Sequence, residues 1–170
     1  MDHPILFRIA ARGLIIENNR LLCVSNDGKY WYLPGGKVEG KESLSTCVER
    51  EVYEETGLIV KTGALLHVLE CFDLNDGLHK INFYFQTSVL SGSISDSWLD
   101  ENSVVQFRRY FSLPEIIANK HIFPRFLSKG EWCSRDAKKM PNVYQGAVVM
   151  RGFEMVDDVD EHAEVVEYSS

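Results

Sequence analysis

Apolar and polar positions alternate along much of this chain, and in two places the alternation gives way to a three-to-four-residue spacing. Residues 5–17 are mostly apolar and predict a strand; Asn18 and Asn19 make a turn, and residues 21–25 predict the returning strand. A second turn signal, Asn26-Asp27-Gly28-Lys29, precedes a short aromatic strand over 30–33, which stops at Pro34-Gly35-Gly36. From Ser43 to Thr56 the period changes. Leu44, Cys47, Val48, Glu51, Val52 and Glu55 fall three or four apart, which predicts a helix with Ser43 as N-cap and Gly57 as its stop. Residues 58–74 return to β character, and Asn75-Asp76-Gly77 turns the chain. Over 80–89, Ile81, Phe83, Phe85, Thr87 and Val89 face one way and Asn82, Tyr84, Gln86 and Ser88 the other. This pair predicts a long antiparallel hairpin. A polar loop over 91–102 contains Trp98. A strand over 104–111 and a second helix over 114–119 follow, with Pro114 suited to the first turn. Residues 129–142 are irregular, and 143–156 predict a late strand.

The elements give an α/β (α+β) class, with a mixed or mostly antiparallel sheet flanked by helices. Neither repeats nor an interdomain linker are visible, so residues 1–156 are expected to form a single domain. Residues 157–170 carry three Asp and three Glu and are expected to be an acidic, fraying tail.

The net charge of −7 argues against a broad nucleic-acid-binding face, so nucleic acid is not the expected partner. No apolar run approaches the ~20 residues that span a bilayer, and residues 1–11 lack the pattern of a signal peptide. The expected compartment is therefore the cytoplasm, with no membrane partner. Cys23, Cys47, Cys71 and Cys133 show no CxxC spacing and read as reduced, mostly buried thiols. The five histidines lack HExxH spacing and read as structural or solvated.

Chemistry concentrates in one segment, GKVEGKESLSTCVEREVYEETGL, residues 36–58. Glu51, Glu54 and Glu55 stand at i, i+3 and i+4 on the predicted helix, on one side of it. Like charges at that spacing each cost a helix ~0.2–0.5 kcal/mol. Taken alone, the three read most simply as a solvated acidic face. A divalent cation would relieve the repulsion, and hard oxygen ligands suit Mg2+. The context favours the cation. Gly35 and Gly36 follow a proline and allow close backbone approach to a ligand, and Glu39 and Glu42 stand in the loop that enters the helix.

The segment resembles the Nudix box, G-x5-E-x7-R-E-U-x-E-E-x-G-U with U aliphatic. Gly36, Glu42, Arg50, Glu51, Val52, Glu54, Glu55, Gly57 and Leu58 fill its specified positions. The resemblance implies the family's α/β/α sandwich with a mixed sheet, and hydrolysis of a pyrophosphate bond in a nucleoside diphosphate linked to another moiety. ADP-ribose, other nucleotide sugars and nucleoside triphosphates are candidate substrates. It also implies Mg2+, with Mn2+ as the alternative, held by Glu51, Glu54, Glu55 and the carbonyl of Gly36 or Gly35. Glu51, Arg50 and Glu54 become the catalytic candidates: Glu51 as base or water-orienting group, and Arg50 to orient the catalytic glutamate through Glu54 and Glu42. Substrate-side candidates are Gly35, Gly36, Lys37, Glu39, Glu42, Trp31 and Arg109. Trp31, with Tyr30 and Tyr32, reads either as a base-stacking surface or as strand packing. Arg108 and Arg109 read equally as phosphate contacts or as solvated strand-end charges.

Two departures stand out. Lys41 occupies a position where family members often have Gly, with Gly40 one residue earlier. A further carboxylate drawn from a later loop has only Asp100 and Glu101 as nearby candidates. Two other readings are a non-catalytic Nudix-fold nucleotide-binding or regulatory module, which the intact box argues against, and isopentenyl-diphosphate isomerisation, for which no cysteine or second glutamate is suitably placed. The small nucleotide is the expected partner, and a homodimer is left open.

Overall fold

The computed structural model describes residues 6–74, 77–100, 105–133, 143–151 and 154–158. Strand β1 (Leu6–Glu17) runs through the middle of the fold, followed by β2 (Arg20–Ser25), β3 (Trp31–Tyr32) and β4 (Gly35–Lys37). Helix α1 (Leu44–Thr56) leads into β5 (Ile59–Asp73) and β6 (Leu78–Ser91). Then come β7 (Phe107–Phe111), helix α2 (Leu113–Ala118), β8 (Ile122–Phe123) and two 3-10 turns, Arg125–Lys129 and Glu131–Cys133. The described chain closes with β9 (Tyr144–Arg151) and β10 (Glu154–Asp158).

Among the described residues ten strands form one mixed, curled sheet, in the order β10-β9-β5-β6-β1-β2-β3-β8, with β4 on β1 and β7 on β2. Strand β1 lies parallel to β6 from Leu6↔Leu78 to Ile15↔Thr87. Along its other edge it changes partner. Ala10, Ala11 and Arg12 pair with Lys37, Gly36 and Gly35 of β4, whereas Ile16 and Glu17 pair with β2. The gap between the two partners is where the Gly-rich segment enters the sheet.

Side-chain alternation along β1 and β2 sorts residues into two layers. Ala11, Ile15 and Leu22 join Cys47, Val48 and Val52 of α1, with Leu58, Val60 and Phe85. Leu14, Leu21 and Cys23 join the opposite core, which includes Leu33, Leu69, Tyr84, Ile116 of α2, and Leu127 and Trp132 of the 3-10 turns. Helix α1 thus covers one face and α2 with the 3-10 turns the other, the expected sandwich. Gly13 lets α1 sit close: a Cβ there would lie 3.2–3.3 Å from the methyls of Val52 and Val48.

The predicted hairpin of β5 and β6 forms, with register shifts between Thr62 and Leu65 and between Leu65 and His67. Its polar face meets solvent only at one end: Asn82 and Tyr84 are buried, whereas Gln86 and Ser88 are exposed. The predicted late strand is two strands. β9 pairs parallel with β5, and β10 folds back on β9 as far as Asp158. Asp157 and Asp158 therefore end a strand; the rest of the expected tail lies outside the described residues. Cys23, Cys47 and Cys71 are free and buried, and Cys133 is free and exposed. Among the described residues no helix is long and apolar enough to cross a membrane.

Candidate active site

Helix α1 begins where the sequence places it. The Ser43 hydroxyl accepts from the Thr46 amide at 3.1 Å, and Gly57 closes the helix in the left-handed conformation at φ 75°. The loop before it turns at Gly40, at φ 49°, so the glycine that stands one residue earlier than usual takes up the turn. This start sets the phase of the helix, and the phase aims Arg50, Glu51, Glu54 and Glu55 towards β4 and the loop.

Arg50 organises these acids. Its Nη1 donates to Glu51 at 2.9 Å and Glu54 at 3.2 Å; its Nε and Nη2 grip Glu42 at 3.0 and 2.7 Å. Nη2 also donates to the Lys37 carbonyl at 3.3 Å, which ties the loop to the helix. Paired this way, Glu42 is pulled down to about 2, chiefly by its hydrogen bond to Arg50. Burial acts in the opposite direction on Glu51 and Glu55. It raises Glu51, half-buried, against the pull of Arg50. Glu55 is buried and is pushed up to about 8, although the Gly35 amide donates to it at 2.9 Å.

The two glycines have distinct jobs. A Cβ on Gly36 would lie 2.5 Å from Glu51 Cδ, so the carboxylate occupies the space a side chain would fill. Gly35 sits at φ 137°, and a Cβ there would lie 2.3 Å from the Ala11 carbonyl and 2.9 Å from Arg12 Cγ. Gly35 is therefore required by β1 and by the passage of the Arg12 side chain. The Arg12 Nη1 donates to the carbonyls of Leu33 at 2.8 Å and Gly35 at 3.1 Å, clamping the same loop from the other side.

Among the described residues no group of three or more His, Cys, Asp or Glu is arranged to enclose a cation; Glu51 and Glu54 face Arg50. The donor set still fits one. Glu51, Glu54 and Glu55 supply hard carboxylate oxygens from one helix, the Glu51 carboxylate lies against Gly36 where a Cβ would be, and Glu55 is a buried carboxyl whose charge burial disfavours.

A cleft of about 320 Å3 opens beyond Arg12, lined by Tyr30, Tyr32, Leu69, Cys71, Lys80, Asn82, Tyr84, Phe123, Pro124 and Val148, among others. Two of the aromatic candidates of the sequence, Tyr30 and Tyr32, are in it, whereas Arg12, Lys80 and Asn82 were not anticipated. The third, Trp31, is a core residue, the strand-packing alternative: it packs edge-on to Phe111 and donates to the Gly28 carbonyl at 3.1 Å. In an extended segment neighbours alternate, so Tyr30 and Tyr32 reach the cleft because Trp31 does not. Arg109 is not brought to the cleft either. It is exposed, bonds Glu115 at 2.7 Å and lies over the Phe111 ring. Arg108 is buried and donates to the carbonyls of Glu55, Val105 and Gln106. Lys37 and Glu39 are exposed; the Glu39 amide donates to Glu42 at 2.8 Å. Of the later acids, Asp100 acts electrostatically on Glu55 and Tyr32, and Glu101 lies outside the described residues. Arg12 had one legible signal, a lone charge inside the apolar run from Ile9 to Ile16.

The model of the NUDIX domain matches residues 6–129. An ADP-ribose pyrophosphatase of Methanocaldococcus jannaschii is 31% identical over 118 residues, 67% of this chain and 67% of that protein. Diphosphoinositol polyphosphate phosphohydrolase 2 of Rattus norvegicus is 33% identical over 87 residues, 51% of this chain and 45% of that protein. A Nudix hydrolase from Nitrosomonas europaea superposes with a TM-score of 0.64 at 18% identity, covering 87% of this chain and 82% of the other, a likeness of fold. The box, the sandwich and these relatives agree: the chain belongs to the Nudix family and is homologous to its pyrophosphatases.

Proposed function

We propose that this protein hydrolyses the pyrophosphate bond of a nucleoside diphosphate linked to a second moiety, with ADP-ribose and related nucleotide sugars as the first candidates and nucleoside triphosphates as the next. The observation that carries the reading is adjacency. The acids of α1, packed beside β4, stand on one side of Arg12, and an aromatic-lined cleft stands on the other. A substrate with a nucleoside in the cleft would present its diphosphate to the acids. The similarity to an ADP-ribose pyrophosphatase supports the nucleotide-sugar choice. The diphosphoinositol polyphosphate phosphohydrolase relatives keep a more highly phosphorylated substrate in contention.

In this reading Glu51, Glu54, Glu55 and the Gly36 carbonyl would hold Mg2+, or Mn2+ in its place. When bound, the cation supplies charge neutralisation of the diphosphate and a water of lowered pKa. The chain's own groups do the rest. Glu51, raised by burial and held beside Gly36, takes the proton from the attacking water. Arg50 keeps Glu51 and Glu54 in place and anchors them to Glu42 and the Lys37 carbonyl. The Gly35 amide fixes Glu55. Tyr30, Tyr32 and Phe123 line the cleft where a base would stack, and by analogy with single-stranded nucleic-acid binding stacking contributes ~1–3 kcal/mol per base.

The test is a hydrolysis screen over nucleoside-diphosphate derivatives, with and without Mg2+, with Glu55→Gln beside the wild type. Metal-dependent turnover is expected, cut about tenfold or more by the substitution. Turnover indifferent to a chelator would sink the proposal.

A further inference from the structure

We propose that Arg12 is a specificity-determining residue, one that receives an anionic phosphate of the substrate on the cleft side of the scissile bond. The inference rests on the hydrolase reading and deepens it by naming what the cleft end must carry.

Arg12 stands on the β1 face that also bears Leu14, inside a strand that is otherwise apolar from Ile9 to Ile16. Placing a guanidinium there costs desolvation free energy unless its N–H groups are used. Guanidinium carries five N–H donors in a fixed fork. Nη1 uses its pair on the Leu33 and Gly35 carbonyls, and the plane lies 5.5 Å from the Tyr32 ring centre. Among the described residues no acceptor is recorded for Nε or Nη2, and Arg12 forms no ion pair with any carboxylate. Its neighbours differ. Arg50 is held by three carboxylates, and Lys80, also in the cleft, pairs with Asp73 at 3.3 Å. Gly35 accepts from Arg12 at 3.1 Å and donates to Glu55 at 2.9 Å, and Arg12 lines the cleft, which places it between acids and cleft.

The local backbone keeps this side chain in place. Gly35 holds a conformation that L side chains rarely adopt, and its missing Cβ is what leaves room for Arg12 Cγ. The loop carbonyls orient one edge of the guanidinium and leave the other for a ligand. A planar fork with two adjacent free donors matches a phosphate better than a neutral sugar or base. The ligand class is therefore a nucleoside phosphate whose proximal phosphate stays with the nucleoside after cleavage.

The experiment is calorimetric titration, without metal, of wild type, Arg12→Gln and Arg12→Lys with the four nucleoside 5′-monophosphates and the four matching nucleosides. Wild type is expected to bind at least one monophosphate about tenfold tighter than its nucleoside. Arg12→Gln is expected to erase that preference, the monophosphate affinity falling about tenfold more than the nucleoside affinity. Arg12→Lys, a charge without the fork, is expected to keep only part of it. If Arg12→Gln does not fold, Arg12→Lys decides, and a full wild-type preference there overturns the proposal. It is also overturned if wild type shows no preference, if the preference survives in Arg12→Gln, or if both affinities fall together, as a purely structural clamp would cause. Turnover of the substrate panel is read separately. Loss of the preference in a protein that hydrolyses nothing sinks the hydrolase reading and leaves the phosphate contact standing; turnover with a preference insensitive to Arg12 does the reverse.

Discussion

Arg50, Glu51, Glu54 and Glu55 lie on one helix, joined by a short loop to the two glycines they face; the cleft next to them draws on β1, β3, β5, β6, β8 and β9 and on the turn before β3. The acids are fixed by helical phase and by one arginine reaching short distances along the chain. The cleft is fixed by strand pairing between residues far apart in sequence, such as Arg12↔Tyr84 and Cys71↔Val148. A change in the first region should act on turnover. A change in the second should act on which substrate is held and how tightly. The difference also separates two uses of burial. Near the acids it disfavours charge on Glu51 and Glu55, and in the cleft it presents apolar and aromatic surface to a ligand.

The hardest test of that division is Glu51→Gln. It keeps shape and removes the base, so kcat is expected to fall about a thousandfold with KM little changed. A large KM effect instead would mean that the acid site also sets affinity. Gly36→Ala is next: the new Cβ must displace the Glu51 carboxyl from 2.5 Å, and a shift of that size is expected to lower kcat about a hundredfold. Steady-state kinetics on the best substrate of the screen reads both. On the cleft side, Asn82→Leu replaces a buried amide with an apolar group of similar size. It is expected to raise KM about tenfold, with kcat retained.

Glu55 gives a test through stability. Its folded pKa of about 8 lies above the unfolded value of about 4.3, so its contribution is fully present below about pH 4 and is lost as pH rises through 8. In chelator at about pH 9, Glu55→Gln is therefore expected to melt on the order of 10 °C above wild type, with the two converging near pH 4. Thermal unfolding at the two pH values checks it. A variant less stable at both would show that the carboxylate, not its neutral form, suits the buried position. The smallest effect is expected at Arg109→Ala. Its pair with Glu115 is exposed, so stability should move by less than about 0.5 kcal/mol and kcat/KM not at all. A clear loss of kcat/KM would return Arg109 to the substrate side.

Much of the fold was legible because its signals are local. The alternation over 81–89, the three-to-four spacing over 44–55, Ser43 before the helix and Gly57 after it each act within a few residues, and each element formed with bounds close to those expected. Trp31 and Arg109, each with a packing or solvated reading beside the substrate one, stayed open for one shared reason. In a strand, residue type says little about which face a side chain takes until the partners are known. Arg12, Lys80 and Asn82 went unassigned because they meet only through the parallel pairing of β1 with β6 and the docking of β5 beside it.

The sequence alone determined the acid helix, its caps, the glycine pair before it and the reach of Arg50, since helical pitch and turn chemistry operate over one or two turns of chain. Only the tertiary structure decided that Trp31 turns inward while Tyr30 and Tyr32 line a cleft, that Gly35 yields to Arg12, and that Asn82 and Tyr84 are buried where Gln86 and Ser88 on the same β6 face are exposed. Those outcomes depend on which strands pair and in what register, and that is set by the whole core at once.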